Sequence, residues 1–203
     1  MNRRAFLKKA GALSAVAVLA LYASPGDAAD PAPVTVLVTY HSATGNTEKM
    51  AQGVADGARA VAGTSVILKR VGEVAGNDLL SADAVIVGSP VYFGNMSGEV
   101  KTFFDNWTLK FSLFRDRKMR NKVGAAFATG GSVSSGKEVT IITILGAMLL
   151  NEMIAVSGGG GFGASATTGP DSPGIDEKEL AAARDLGKRV AEVAAVVKRG
   201  SGK

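Results

Sequence analysis

Residues 34–47 read VTVLVTYHSATGNT, and this run decides the architecture. Val34 to Tyr40 is β-rich and nearly continuous in apolar character, the pattern of a strand buried on both faces. His41 to Asn46 is small and polar, and from Thr47 the period changes, with Met50, Ala51, Val54, Ala58 and Val61 at helical spacing. A strand, a tight loop and a helix follow one another within about thirty residues, as a βαβ unit begins.

The alternation repeats outward from there. Strands are predicted over 64–68, 82–88, 122–128 and, as a short fifth, 153–156. Helices are predicted around Val100–Trp107, over Lys137–Leu150, and where Leu180, Ala183, Gly187, Val190, Ala194 and Val197 repeat at 3,4 spacing. The Gly/Ser/Pro-rich stretch Ser157–Gly174 reads as irregular. Strands alternating with helices imply right-handed crossovers and a parallel sheet covered on both faces. Five such strands predict an α/β, flavodoxin-like three-layer sandwich in the order 2-1-3-4-5, with a ligand crevice at the carboxyl ends of strands 1 and 3. Three loops should converge there, 41–46, 89–97 and 129–136, all rich in Gly, Ser, Thr or Asn.

Composition narrows the chemistry. With 46% apolar and 20% charged residues among 203, the chain can bury one sizeable core. It has no Cys, which excludes thiol redox chemistry, disulfides and iron–sulfur ligation, and its single His excludes a multi-His metal site within one chain. The net charge of +5 is concentrated at the start: Arg3, Arg4, Lys8 and Lys9 face only Asp27 within residues 1–29, leaving 19 basic and 17 acidic side chains beyond. No basic stripe interleaved with aromatics is present, so nucleic acid is not an expected partner.

Residues 2–9, NRRAFLKK, precede the 14-residue apolar run Ala10–Ala23. That length suits a signal peptide and falls short of the roughly 20 residues needed to span a bilayer. Pro25 and Gly26 break the run, and Ala28 and Ala29 offer a cleavage site. The pair Arg3-Arg4 followed by x-Phe-Leu-Lys resembles the twin-arginine export signal. The expected division is therefore a signal peptide at 1–29 and a single domain at 30–203. The mature protein is expected to be periplasmic and without stable membrane insertion.

The first loop, His41-Ser42-Ala43-Thr44-Gly45-Asn46-Thr47, suits a phosphate: small residues permit close wrapping, hydroxyls donate, and a helix N-terminus presents unpaired N–H groups. It contains no Lys or Arg, and neither the G-x-x-x-x-G-K-[ST] nor the G-x-G-x-x-G pattern occurs there, so a monophosphate fits better than a triphosphate or dinucleotide. A plainer reading keeps Asn46 or Thr47 as an ordinary helix cap. A receiver domain, which shares this strand order, would need an acidic cluster at the strand ends; Tyr40-His41-Ser42 and Gly88-Ser89-Pro90 stand there instead. After strand 3, Pro90 stiffens the exit, Val91, Tyr92 and Phe93 offer apolar and aromatic surface, and Gly94-Asn95 permits a tight turn. After strand 4, Thr129-Gly130-Gly131 is a second close-approaching backbone.

The segment DAVIVGSPVYFGNMSGEVKTFFD (83–105) resembles the flavin-binding signature of WrbA-type NAD(P)H:quinone oxidoreductases. The similarity extends through SATGNTEKMA (42–51), ATGGS (128–132) and the tail GFGASATTGPDSPGIDEKELAAARDLGKRVAE (161–192). The resemblance implies FMN as the cofactor, with its phosphate held by Ser42, Ala43, Thr44, Gly45, Asn46 and Thr47. Val91, Tyr92 and Phe93, within Pro90–Asn95, would lie against the ring, and Thr129, Gly130 and Gly131 would border its other edge. It further implies NAD(P)H as donor, a quinone or other small electron acceptor near Phe111, and a homodimer or homotetramer. Two positions depart from the family: Thr44 replaces a loop aromatic, and Leu150-Asn151 stands where a His is usual late in the fourth helix. Because NAD(P)H is a cytoplasmic reductant, an unidentified donor is the alternative to it, and a non-enzymatic electron carrier is the alternative function. No acid–base pair is expected to act as a catalytic residue, because flavin chemistry belongs to the cofactor. Trp107 completes an apolar helix stripe and is read as core, and His41 as a hydrogen-bonded or solvent-facing side chain.

Overall fold

The computed structural model describes residues 33–169 and 174–201. The proposed export segment and its boundary after Ala29 lie outside these residues. The elements, in order, are β1 (Val34–Tyr40), α1 (Asn46–Arg59), β2 (Thr64–Arg70), a 3-10 turn (Val71–Glu73) and α2 (Gly76–Ser81). They continue with β3 (Ala84–Tyr92), β4 (Asn95–Met96), α3 (Gly98–Leu109), β5 (Val123–Gly130), α4 (Lys137–Leu150), β6 (Ile154–Ala155), β7 (Ala164–Thr167) and α5 (Glu177–Gly200). Among the described residues, no helix is long and apolar enough to cross a membrane.

The parallel sheet runs β2-β1-β3-β5-β6, which is the expected flavodoxin-like path. It holds seven strands rather than five, for two reasons. The fifth position is split: β6 pairs Val123 and Gly124 of β5, and β7 resumes pairing at Phe127 through Gly130. The chain leaves the sheet between them and re-enters at Gly163, where a Cβ would stand 2.0 Å from the Ala126 carbonyl oxygen. Part of the stretch expected to be irregular is thus a strand, ASAT, whose small residues carry little β signal. The other addition is β4, which turns back on β3 in an antiparallel hairpin. β3 itself runs past the predicted Gly88 to Tyr92, through Pro90. Proline is tolerated there because the pairing with β1 ends at Tyr40–Gly88, so no donor is needed on that side.

Successive side chains alternate between two apolar layers, as a strand's period of two requires. Val36 and Val38 join Met50, Val54, Leu186 and Val190 under α1 and α5. Leu37, Val85 and Val87 join Phe103, Trp107, Ile144 and Met148 under α3 and α4. Trp107 is buried, as its helix stripe indicates. Register sets the site: Tyr40 lies opposite Gly88, Gly88 opposite Phe127, and Gly130 opposite Thr167, so the three predicted loops leave one edge of the sheet together.

Candidate functional site

The first loop meets α1 at Gly45, whose φ of 89° is left-handed, a conformation glycine adopts without a Cβ penalty. No side chain caps α1, so neither Asn46 nor Thr47 is its N-cap. The first-turn N–H groups have no intrahelical acceptor, and Gly45 offers no side-chain one. Ser42 and Thr47 are buried, while Ala43, Thr44 and Gly45 form an exposed rim. The Gly45 N–H donates to Ser42 Oγ (3.1 Å), and a Cβ placed at Gly45 meets nothing within 4 Å. This is an open cradle of amides and hydroxyls, the chemistry that receives a phosphate.

Neighbouring elements brace the loop. Arg70 donates to Ser42 O (2.8 Å) and to Glu48 Oε2 (2.5 Å), and the Tyr40 hydroxyl donates to Glu48 Oε1 (2.9 Å). Burial, and then that carboxylate, push the Tyr40 phenol above its ordinary value, so it stays protonated and donating. The loop itself has no cation, and Arg70 holds its backbone from outside.

Side chains tie the three loops together. Thr47 Oγ1 and Thr129 Oγ1 share a buried 2.8 Å hydrogen bond between the first and third loops. His41 Nδ1 is 3.0 Å from Ser97 Oγ and 3.4 Å from Glu99, joining the first loop to the start of α3. The His41 ring also meets Tyr92 edge-on at 6.1 Å. Ser89 anchors the second loop: its Oγ donates to Pro90 O (2.7 Å) and accepts from Ser97 N (2.9 Å). At the hairpin tip, Phe93 and Gly94 have φ of 50° and 80°, both positive, as in the type I′ turns that join short hairpins. Phe93 is fully exposed there, an aromatic held in a conformation that costs a bulky residue about 1–3 kcal/mol. A Cβ at Gly136 would stand 2.8 Å from the Gly94 carbonyl oxygen, so the third loop and the hairpin pack backbone to backbone.

Most of the predicted residues are thus brought together: Ser42 to Thr47, Pro90 to Asn95, and Thr129 to Gly131 share one edge. Two are not. Phe111 lies beyond the far end of α3, about 18 Å of helix from Gly98, and packs against Gly76. It does not line this site within one chain. Asn151 caps the far end of α4, about 21 Å of helix from Gly136, with its Nδ2 on Ala147 O (2.8 Å). It too is remote from the loops within one chain. Sequence reasoning missed Ser89 and Ser97, because their roles depend on burial between segments apart along the chain.

The site also presents an orphaned polar atom: Ser135 Oγ, in the third loop, is buried with no partner among the described residues. Cradle, hairpin and loop agree with a monophosphate-bearing planar ring, and the fold places them where that class of protein holds FMN. These features define a flavodoxin-type FMN flavoprotein, and comparison with known proteins specifies which kind. The model of the NADPH-dependent FMN reductase family matches residues 69–166. The NAD(P)H dehydrogenase (quinone) of Archaeoglobus fulgidus is 35% identical over 193 residues, covering 78% of this chain and 96% of the relative. A flavodoxin of Aquifex aeolicus is 40% identical over 170 residues, covering 79% and 87%. Among solved structures, a WrbA-like flavodoxin from Agrobacterium tumefaciens superposes with a TM-score of 0.67 at 28% identity, over 79% of this chain and 97% of that one. The chain belongs to the WrbA-like NAD(P)H dehydrogenase (quinone) family and is an oxidoreductase with FMN as its cofactor.

Proposed function

We propose that this protein carries two electrons from a nicotinamide donor to a quinone through non-covalently bound FMN, outside the cytoplasm. The observation that carries the reading is the uncapped start of α1, with its free amides and the hydroxyls of Ser42 and Thr47, locked through Thr129 to the loop that borders the ring. FMN supplies the hydride chemistry when bound. The chain's own part is to bind and orient: the α1 cradle fixes the phosphate, and the Ser89–Ser97 link holds the hairpin whose Tyr92 and Phe93 flank the ring. Export rests on the Arg3-Arg4 signal. Assembly into a homodimer or homotetramer is supported by exposed Val139, Ile142, Leu149 and Leu150 on α4 and by a groove of about 440 Å³ between α3 and α4. In such an assembly, Phe111 or Asn151 of one copy would approach the flavin of another.

A periplasmic electron carrier is the second reading, favoured by exposed Thr44 where the family has an aromatic. The protein should purify yellow with one releasable FMN. Anaerobic stopped-flow reduction with NADPH, NADH and dithionite then separates the readings. Rapid bleaching by either nicotinamide establishes the enzyme. Slow bleaching, rescued in part by Thr44→Tyr and rapid only with dithionite, establishes the carrier or another donor, since lost positioning costs about a hundredfold in rate. FAD in place of FMN, or a colourless protein that ignores added FMN, overturns both.

A further inference from the structure

Lys137, the first residue of α4, is 5% exposed. A lysine so buried is rare unless paired with an anion. Its Nζ donates to Ser132 O (2.9 Å), Val133 O (3.4 Å) and Thr167 Oγ1 (2.7 Å), all neutral acceptors. Hydrogen bonding is satisfied, but no carboxylate among the described residues pairs with the ammonium. Glu138 is exposed to solvent, and Glu179 directs its two oxygens at the N–H groups of Thr167 and Asp176. The N-terminus of α4 adds charge of the same sign: Gly136 caps it at φ 99° with no side-chain acceptor, leaving the positive end of the helix dipole open.

The position of this charge gives it a use. A Cβ at Gly130 would meet Lys137 Cγ at 3.0 Å, so the lysine stem packs against the loop backbone at Gly130. Its ammonium then grips the next two carbonyls of the same loop. Holding a loop does not require a cation, and burying an ammonium without a paired carboxylate is unfavourable. The cost is offset if an anion forms on the other side of the loop.

We propose that Lys137 is a positioning residue whose fixed charge favours the reduced, negatively charged form of the flavin ring over the oxidised, neutral one. The inference rests on the FMN reading above. A hydride donor delivers two electrons and one proton to the ring; the donor leaves oxidised by those two electrons, and the ring keeps one net negative charge. The FMN phosphate is charged in both states and sits at α1, so it does not discriminate between them. Only a group that interacts differently with the two states shifts their balance, and a cation packed against the ring-bordering loop does so.

The test uses the full FMN-loaded protein with Lys137→Gln, Lys137→Met and Lys137→Arg. The midpoint potential is read by equilibration with a redox dye under dithionite, and the Kd of oxidised FMN by fluorescence quenching. Loss of charge in the Gln and Met variants should lower the midpoint by about 30 mV or more, a tenfold loss of preference for the reduced form. Lys137→Arg should keep the preference within about twofold, a shift of no more than about 10 mV. If the Gln and Met variants weaken FMN binding equally in both states and leave the midpoint unchanged, Lys137 only pins the loop and the inference fails. It fails too if the Arg variant falls with the others, since shape rather than charge would then be responsible. A parent protein that takes up no FMN overturns the flavin reading itself, a failure distinct from an unmoved potential in a yellow protein.

Discussion

Two groups of helices differ in how they begin. Helices α3 and α5 start with a side chain closing a free first-turn amide. Ser97 accepts from Val100 N (3.4 Å) and Asp176 from Glu179 N (2.8 Å), the latter answered by Glu179 on Asp176 N. The short α2 has no such cap, and Asp78 accepts only from the N–H of Ala75, the residue before the helix (2.8 Å). Helices α1 and α4 start with a left-handed glycine and no side-chain acceptor. Both bare starts belong to loops 41–46 and 129–136. A buried or half-buried amide without an acceptor is unfavourable. Its repetition at two helices that start from the loops at one end of the sheet agrees with a ligand's oxygens being received there.

An acid placed in the bare start of α1 should have the largest effect. Asn46→Glu adds a carboxylate at the first helical position, which alone raises helix stability by about 0.3–1 kcal/mol. Against a bound phosphate it is a like charge a few ångströms away, and FMN affinity should fall at least about a hundredfold. Thermal unfolding without FMN and fluorescence titration with FMN read the two effects, which should have opposite signs. A variant that is stabilised yet binds FMN normally would return the loop to a mere helix start.

A capped helix supplies the opposite case. Asp176→Ala removes the reciprocal cap of α5 and should cost about 1 kcal/mol, a fall of roughly 2–4 °C in Tm. FMN affinity should stay within about twofold, because that cap serves the helix alone. A large loss of FMN binding would show that capped and bare helices are not separate in function.

The smallest effect concerns α2. Lys69 donates to both oxygens of Asp78 (2.9 and 2.8 Å). That hydrogen bond, opposed by burial and helped by the Ala75 N–H, holds the Asp78 carboxyl below its usual value. A depressed carboxylate stabilises the fold above its unfolded pKa, and the contribution is lost as pH falls through the folded value. Asp78→Asn should therefore cost about 0.5 kcal/mol at neutral pH, modest because Lys69 is partly exposed. The difference from the parent should vanish in acid. Urea unfolding at pH 7 and below pH 4 checks it, and a gap that widens in acid would contradict the assignment.

Much of this was legible in the chain. The run VTVLVTYHSATGNT, the motif SPVYFGNMSG and the switches between periods of two and 3.6 determined the parallel sheet, its order and the three loops at one edge. These signals are local, since alternation and helical stripes are written into consecutive residues. ASAT carried no such signal, because its strand identity comes from pairing with Phe127–Gly130 and not from its own side chains. Tertiary structure alone decided that Phe111 and Asn151 stand a helix length away from the loops, and that Thr47 meets Thr129 across 82 positions of chain. It alone turned Lys137 from the first residue of an apolar helix into a buried charge. Burial and long-range contact depend on which distant segments the sheet register sets side by side, and no window of consecutive residues contains that information.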